Sequence, residues 1–246
     1  MKTVLKTSVL TVLAVVLFIG SSFSQNSTKI PLIGSKAPSF KANSTNGTME
    51  FPNDFGKSWK ILFSHPQDFT PVCSSELIEL AHLQGEFDKL NVKLAIISTD
   101  NVETHNAWKA HLEEIDYQGR GAQKINFPII DDQSKTGSRL YGMLHEPVSS
   151  NKDVRGVFII DPDNVVQAIN FYPMQVGRNM DEIVRMVEAL QTVTASKVLT
   201  PANWEKGEDV MVPYFPYTKE QLAANPALKD EYYSMGNRMW FKKIEK

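Results

Sequence analysis

Two nearly unbroken apolar segments, "WKILFSH" (59–65) and "VKLAIIS" (92–98), bracket a run in which Leu77, Leu80, Leu83, Phe87 and Leu90 recur at spacings of three and four. A strand without polar alternation belongs in a sheet covered on both faces, and the three-four spacing is that of a helix with one apolar side. Strand, amphipathic helix and strand therefore predict a layered α/β domain with helices packed on a central sheet. Proline cannot donate to a sheet ladder, so Pro66 ends the first strand. Thr70 suits the N-cap of the helix and Pro71 its first position, which puts Cys73 in the first turn.

The same reading predicts a helix over 103–115, strands at "FPIID" (127–131) and "VRGVFII" (154–160), the turn "DPDN", and a partner strand "VVQAINF" (165–171). Asn179 with Glu182 three residues later reads as a capping box, opening a helix that carries Ile183, Val184, Val187 and Leu190. The stretch before residue 59, with Pro31, Pro38 and "NSTNG", reads as a polar, loop-like entry. From about Ser196 the composition turns to proline, tyrosine and tryptophan with weak periodicity, as in "TPANWEKGEDVMVPYFP". The expected organisation is a main α/β domain over 30–195, with a mixed sheet between helices, and a small C-terminal domain over 196–246.

Lys2 and Lys6 precede the apolar run "SVLTVLAVVLFIG", and the small residues Ser21, Ser22 and Ser24 follow it. That order is a secretory signal peptide, residues 1–24, and it predicts an exported chain, periplasmic or extracellular. The apolar run has 13 residues, short of the roughly 20 needed to span a bilayer as a helix. A formal net charge of −2 provides no basic field for a polyphosphate backbone, so nucleic acid is not expected as a partner.

The chain has one cysteine, Cys73. No internal disulfide and no C-x-x-C redox pair can form, so the thiol is a buried filler, an intermolecular partner or a reactive group. Its helical position separates these. A free thiol ionises near pH ~8.5, whereas helix N-termini and adjacent cations lower that to about 3.5–7.5. If the thiolate attacks an O–O bond, the departing oxygen needs donors aimed at it, and Thr70 can present a hydroxyl to the same pocket. Four further histidines, His82, His105, His111 and His145, show no ligand-like grouping, so no metal and no cofactor are expected.

The segment "FSHPQDFTPVCSSEL" resembles the peroxiredoxins, and within them the one-cysteine branch related to peroxiredoxin six, with its pattern P-x-x-x-T-x-x-C filled by Pro66, Thr70 and Cys73. "FPIIDD", "RGVFIIDP", "GRNMDEIVR" and "TPANWEKGEDVMV" are similar to other segments of the same family. The resemblance implies a thioredoxin-like fold and a thiol-dependent peroxidase that reduces hydrogen peroxide and organic hydroperoxides. It implies Cys73 as peroxidatic nucleophile, Thr70 orienting the peroxide, Pro66 shielding the sulfur, and Arg155 stabilising thiolate and leaving oxygen. Glu76 would orient Arg155, and Arg178 would lie at the pocket rim. His65 either hydrogen-bonds the sulfur region or ends its strand structurally. The partners implied are a peroxide, an external thiol reductant, and a second copy in a homodimer or larger homo-oligomer.

Two other readings compete. An exported holdase or interaction scaffold would keep the fold without the chemistry. A lipid hydrolase would need the G-x-S-x-G elbow that some members of the branch carry, but here the stretch is "GKSWK", with Lys60 in place of the last glycine beside Ser58. Such an elbow depends on small residues around a strained serine, which disfavours this reading.

Overall fold

The computed structural model describes residues 30–236 and 238–244, and the expected signal segment lies outside them. The chain order is β1 (Phe40–Ser44), β2 (Gly47–Phe51), β3 (Trp59–Ser64), α1 (Pro71–Lys89), β4 (Val92–Ser98) and α2 (Val102–Leu112). Then follow β5 (Ile129–Asp131), α3 (Thr136–Leu140), β6 (Arg155–Ile160), β7 (Val166–Tyr172) and α4 (Met180–Ser196). These strands form one sheet in the order β2-β1-β5-β4-β3-β6-β7. The pairs β3–β4 and β4–β5 are parallel and the others antiparallel, so the sheet is mixed.

The period of two sorts the apolar residues of β3 onto opposite faces. Ile61 and Phe63 join Leu77, Leu80, Phe87, Trp108, Ile183 and Val187 beneath α1, α2 and α4. Leu62 joins Phe40, Phe51, Ile97, Tyr141 and Phe158 on the other side. With both faces covered, every residue of β3 and β6 is buried. The antiparallel β3–β6 pairing matches Phe63 with Val157, which places the start of β6 beside the end of β3. Chain segments far apart in sequence thereby meet where β3 exits the sheet.

The entry segment read as a loop is instead the β1–β2 hairpin, registered Phe40↔Phe51 through Ser44↔Gly47. Its inward residues Phe40, Met49 and Phe51 alternate with lysine, asparagine, threonine and glutamate, so the apolar signal is thin, and Gly47 closes the turn at φ +98°. The strand expected at 127–131 is β5 and starts two residues later, at Ile129 after Pro128, and α2 ends at Leu112 rather than 115. Only half of the expected capping box forms. Asn179 accepts from the Glu182 main-chain N–H, while the Glu182 carboxylate turns to Arg185.

After α4 the chain builds a small antiparallel sheet from β8 (Val210–Val212), β9 (Tyr232–Met235) and β10 (Met239–Lys242), in the order β8-β10-β9. Between β8 and β9 lies the short helix α5 (Lys219–Ala224), whose capping box is complete between Thr218 and Gln221. Trp204 anchors this unit by packing with Ala189 of α4, Val198 and Val210. The rest relies on ring contacts, including Phe215 against Trp240 and Tyr233 stacked on Phe241.

Candidate active site

Beyond Ser64 the chain leaves the sheet through the buried residues His65 and Pro66, and α1 begins at Pro71. Thr70 is the N-cap residue, in extended conformation, and Cys73 lies in the first turn, fully buried. The Thr70 side chain does not cap the helix, because its hydroxyl donates to the Gln67 carbonyl at 2.8 Å. Proline at the first position has no N–H, so the first-turn amides without an intrahelical acceptor are those of Val72 and Cys73.

Arg155, first residue of β6, reaches the sulfur from 82 residues away. Its Nη1 lies 3.4 Å from Cys73 Sγ and 2.7 Å from Glu76 Oε2, while Nε donates to the Met174 carbonyl at 2.9 Å. Glu76, one turn beyond Cys73, is shared by a second guanidinium. Arg178 donates from its main-chain N–H and Nε to Oε1 at 2.8 and 2.9 Å, and from Nη2 to Oε2 at 2.7 Å. The remaining Arg178 nitrogen, Nη1, donates to the carbonyls of Ser64 and Gly156, and the guanidinium stands over the Phe63 ring. Burial by itself would raise the Glu76 pKa, but Arg178 and then Arg155 outweigh it and hold the carboxyl below its ordinary range.

Two guanidinium cations thus surround one carboxylate, leaving the buried triad one positive charge in excess beside the sulfur. Arg155 and Glu76 are not surface charges, since both side chains are almost wholly buried. Arg178 is no rim residue either. It is a buried part of the same network.

His65 takes no part in that network. Its Nε2 pairs with Asp68 Oδ1 at 2.8 Å, its Nδ1 has no hydrogen-bond partner among the described residues, and its ring lies 5.0 Å from that of Trp108. Asp68 also meets His105 Nδ1 at 2.7 Å, and its main-chain N–H donates to Asp100. Ligand-type atoms of His65, Asp68 and Asp100 lie within 4.8 Å of one another, the nearest approach to a metal-binding group among the described residues. Asp68 and Asp100 already accept hydrogen bonds within this cluster. Sequence spacing places Asp68 three residues after His65 but gives no sign that His105, on another helix, completes the cluster.

Ser58 donates to Asn91 Oδ1 at 2.9 Å. Its neighbour Lys60 is wholly buried, with Nζ held by the Gly56 and Asp161 carbonyls and Asn164 Oδ1, and burial lowers its pKa. Where an elbow would need space, a lysine chain fills it. Two residues before Arg155, the carboxylate of Asp153 is buried with neither oxygen hydrogen-bonded among the described residues. Burial, opposed by the nearby Ser138 hydroxyl and reinforced by Asp132, pushes its pKa up to about 8.

The AhpC/TSA family matches residues 33–169, more than half of the chain. The chain belongs to that family. The C-terminal domain of 1-Cys peroxiredoxin matches residues 189–221. A peroxiredoxin of Methanosarcina mazei is 48% identical over 185 residues, covering 75% of this chain and 84% of the relative. Peroxiredoxin-6 of Rattus norvegicus is 46% identical over 186 residues, covering 74% and 82%. Among solved structures, a yeast mitochondrial 1-Cys peroxiredoxin with a thiol-resolving mechanism via glutathione/thioredoxin systems superposes with a TM-score of 0.74 at 35% identity, covering 87% of this chain and all of that one. A cysteine-to-serine variant of the peroxiredoxin 6 of Arenicola marina gives 0.76 at 32% identity, covering 87% and 99%. The fold is therefore the thioredoxin-like peroxiredoxin fold with a small C-terminal sheet region. With its single cysteine, the chain is a one-cysteine peroxiredoxin, a thiol-dependent peroxidase.

Proposed function

We propose that Cys73 is the peroxidatic nucleophile and that Arg155, Glu76 and Arg178 are the electrostatic frame that serves it. The carrying observation is the 3.4 Å contact between Arg155 Nη1 and Cys73 Sγ, made inside a buried triad with one excess positive charge. The thiolate attacks the terminal oxygen of a hydroperoxide. An S–O bond forms, the O–O bond breaks, and the leaving oxygen departs with the electron pair and takes up a proton to become water or alcohol. Charge that starts on sulfur ends on the leaving oxygen, and a fixed guanidinium reaching both positions stabilises the transfer without reorganising. Thr70 and the first-turn amides orient the peroxide, and the buried ring of Pro66 keeps water from the sulfur.

Sulfenic Cys73 has no resolving cysteine in the chain. An external thiol condenses with it to a mixed disulfide and water, and a second thiol then releases the enzyme. A low-molecular-weight or thioredoxin-type thiol fits this requirement. Further parts of the reading are a cleaved signal peptide over 1–24, export to the periplasm or beyond, a peroxidase domain over 30–195, a C-terminal domain over 196–246, and a homodimer or larger homo-oligomer. The lysine-flanked apolar run supports export, and the thin, aromatic C-terminal sheet supports a contact role for that domain.

The test is peroxide consumption in the presence of a small thiol. Wild type is expected to turn over and Cys73→Ser to be inactive, with a mass gain of one oxygen on Cys73 of wild type after brief exposure. Equal consumption by both proteins sinks the proposal.

A further inference from the structure

The triad of Glu76 and the two arginines occupies one flank of the motif loop. On the other flank three buried titratable side chains, His65, Asp68 and His105, form a chain of hydrogen bonds. Asp68 sits between the two imidazoles, Oδ1 at 2.8 Å from His65 Nε2 and Oδ2 at 2.7 Å from His105 Nδ1. The far nitrogen of His105, Nε2, lies 3.1 Å from the Ile130 carbonyl oxygen.

Hydrogen positions follow from what each partner can do. A carbonyl only accepts, so His105 Nε2 carries a hydrogen. Burial works to raise the Asp68 pKa, but hydrogen bonds from His105 and His65 outweigh it and hold the group below the ordinary aspartate value. Asp68 is therefore a carboxylate that accepts at both oxygens. His105 donates from Nε2 to the Ile130 carbonyl while its Nδ1 meets Asp68, and His65 donates from Nε2. Burial, opposed by Asp68, keeps the His65 pKa below its ordinary value, so that ring carries a single hydrogen. Its Nδ1 is then a bare lone pair, buried and unpartnered among the described residues. A buried acceptor left empty is uncommon and costly, and calls for a donor.

We propose that Asp68 and His105 are positioning residues of the peroxidase: the Asp68 carboxylate, held by His105, fixes His65 in its Nε2–H tautomer, so that Nδ1 stays open as the hydrogen-bond acceptor for the O–H of the bound hydroperoxide. This rests on the reading that His65 serves the sulfur region rather than only ending its strand, and adds what sets its proton. The surroundings hold the ring in place. His65 packs on Trp108, whose Nε1 donates to Ser74 Oγ, the residue next to Cys73. The Asp68 main-chain N–H is tied to Asp100 Oδ2 at 2.9 Å, so the loop bearing the motif is anchored by backbone and side chain together. His65 exchanges no proton in this role. It orients the peroxide by accepting one hydrogen bond.

Two substitutions separate tautomer from charge. In Asp68→Asn the amide oxygen accepts from His65 Nε2, the amide nitrogen donates to a neutral His105 Nδ1, and His105 Nε2 still reaches Ile130. Every hydrogen bond survives without a charge. Asp68→Ala leaves His65 free to exchange tautomers.

The experiment is nitrogen NMR of the full chain with labelled histidines, at about pH 6 to 8, alongside kcat/KM for a hydroperoxide. In wild type His65 is expected to show a protonated Nε2 and an unprotonated Nδ1. Asp68→Asn is expected to keep the His65 signature and kcat/KM within about twofold, and Asp68→Ala to lose the signature and at least about tenfold in kcat/KM, a modest loss for a mis-set catalytic histidine. Normal kcat/KM in Asp68→Ala overturns the proposal, and so does an equal loss in both variants, which would assign the role to charge. If Asp68→Ala fails to fold, the wild-type spectrum decides alone, because a protonated Nδ1 or tautomer exchange at His65 is fatal. Full activity of His65→Phe, with Cys73→Ser still inactive, rejects the site reading of His65 and the proposal with it, while leaving the peroxidase assignment intact.

Discussion

Glu76 and Asp153 are both buried carboxyl groups beside Arg155, one bonded to it in space and one two residues before it in sequence, yet burial has opposite outcomes in them. Glu76 receives two guanidinium groups and a main-chain N–H, and stays ionised well below its ordinary range. Asp153 receives no hydrogen bond among the described residues, and its pKa rises to about 8. The nearby Ser138 hydroxyl is spent on Asp132, to which it donates at 2.6 Å. Desolvation acts on both acids. The neighbours decide which carries charge, two guanidinium groups for Glu76 against a second carboxylate, Asp132, for Asp153.

Glu76→Gln breaks the comparison most severely, because it strands two buried guanidinium cations. The expected loss is about 3–5 kcal/mol of stability, as when one partner is removed from a buried ion pair. Urea unfolding checks this, and peroxide turnover should fall with it. A loss below about 1 kcal/mol, the worth of an exposed pair, would show that the triad is not an electrostatic frame.

Asp153→Asn tests the other acid, and its sign depends on pH. An acid whose folded pKa is raised holds its proton while the unfolded chain has released it, so stability is full below the ordinary aspartate value of 3.8 and declines as pH rises towards about 8. An amide keeps the neutral form at every pH. Asp153→Asn should therefore match wild type near about pH 4 and exceed it near about pH 8 by a few kcal/mol, since each pH unit in that window is worth up to roughly 1.4 kcal/mol. Parallel stability-pH curves for the two proteins would show that Asp153 ionises normally.

Ser138→Ala gives the smallest change and sharpens the contrast. It removes a hydroxyl close to both Asp132 and Asp153, and should cost about 1 kcal/mol near neutral pH through the lost bond to Asp132. Thermal melts of both single variants and the double variant will show whether the two acids communicate through Ser138.

Much of the fold was legible because β3, α1 and β4 carry strong periodicities, and the first-turn position of Cys73 followed from Thr70 and Pro71 alone. The β1–β2 hairpin was not legible, since its inward positions are diluted by polar neighbours and a two-residue turn. Within the site, the local motif named the nucleophile, whereas Arg155 and Arg178 were reached through resemblance to a family. Their meeting with Cys73 depends on an antiparallel register that no local pattern encodes. The orientation of the Thr70 hydroxyl, and the joining of Asp68 to His105 across 37 residues, likewise come from tertiary packing.

Cys73 and Glu76 share one turn of helix, but both of their cations arrive on chain made much later, 79 and 102 residues beyond Glu76. A ribosome that has finished α1 has made a sulfur with a carboxylate for a neighbour and nothing to offset it. The order of synthesis therefore leaves sulfur and carboxylate without their cations until the second half of the protein closes over the first.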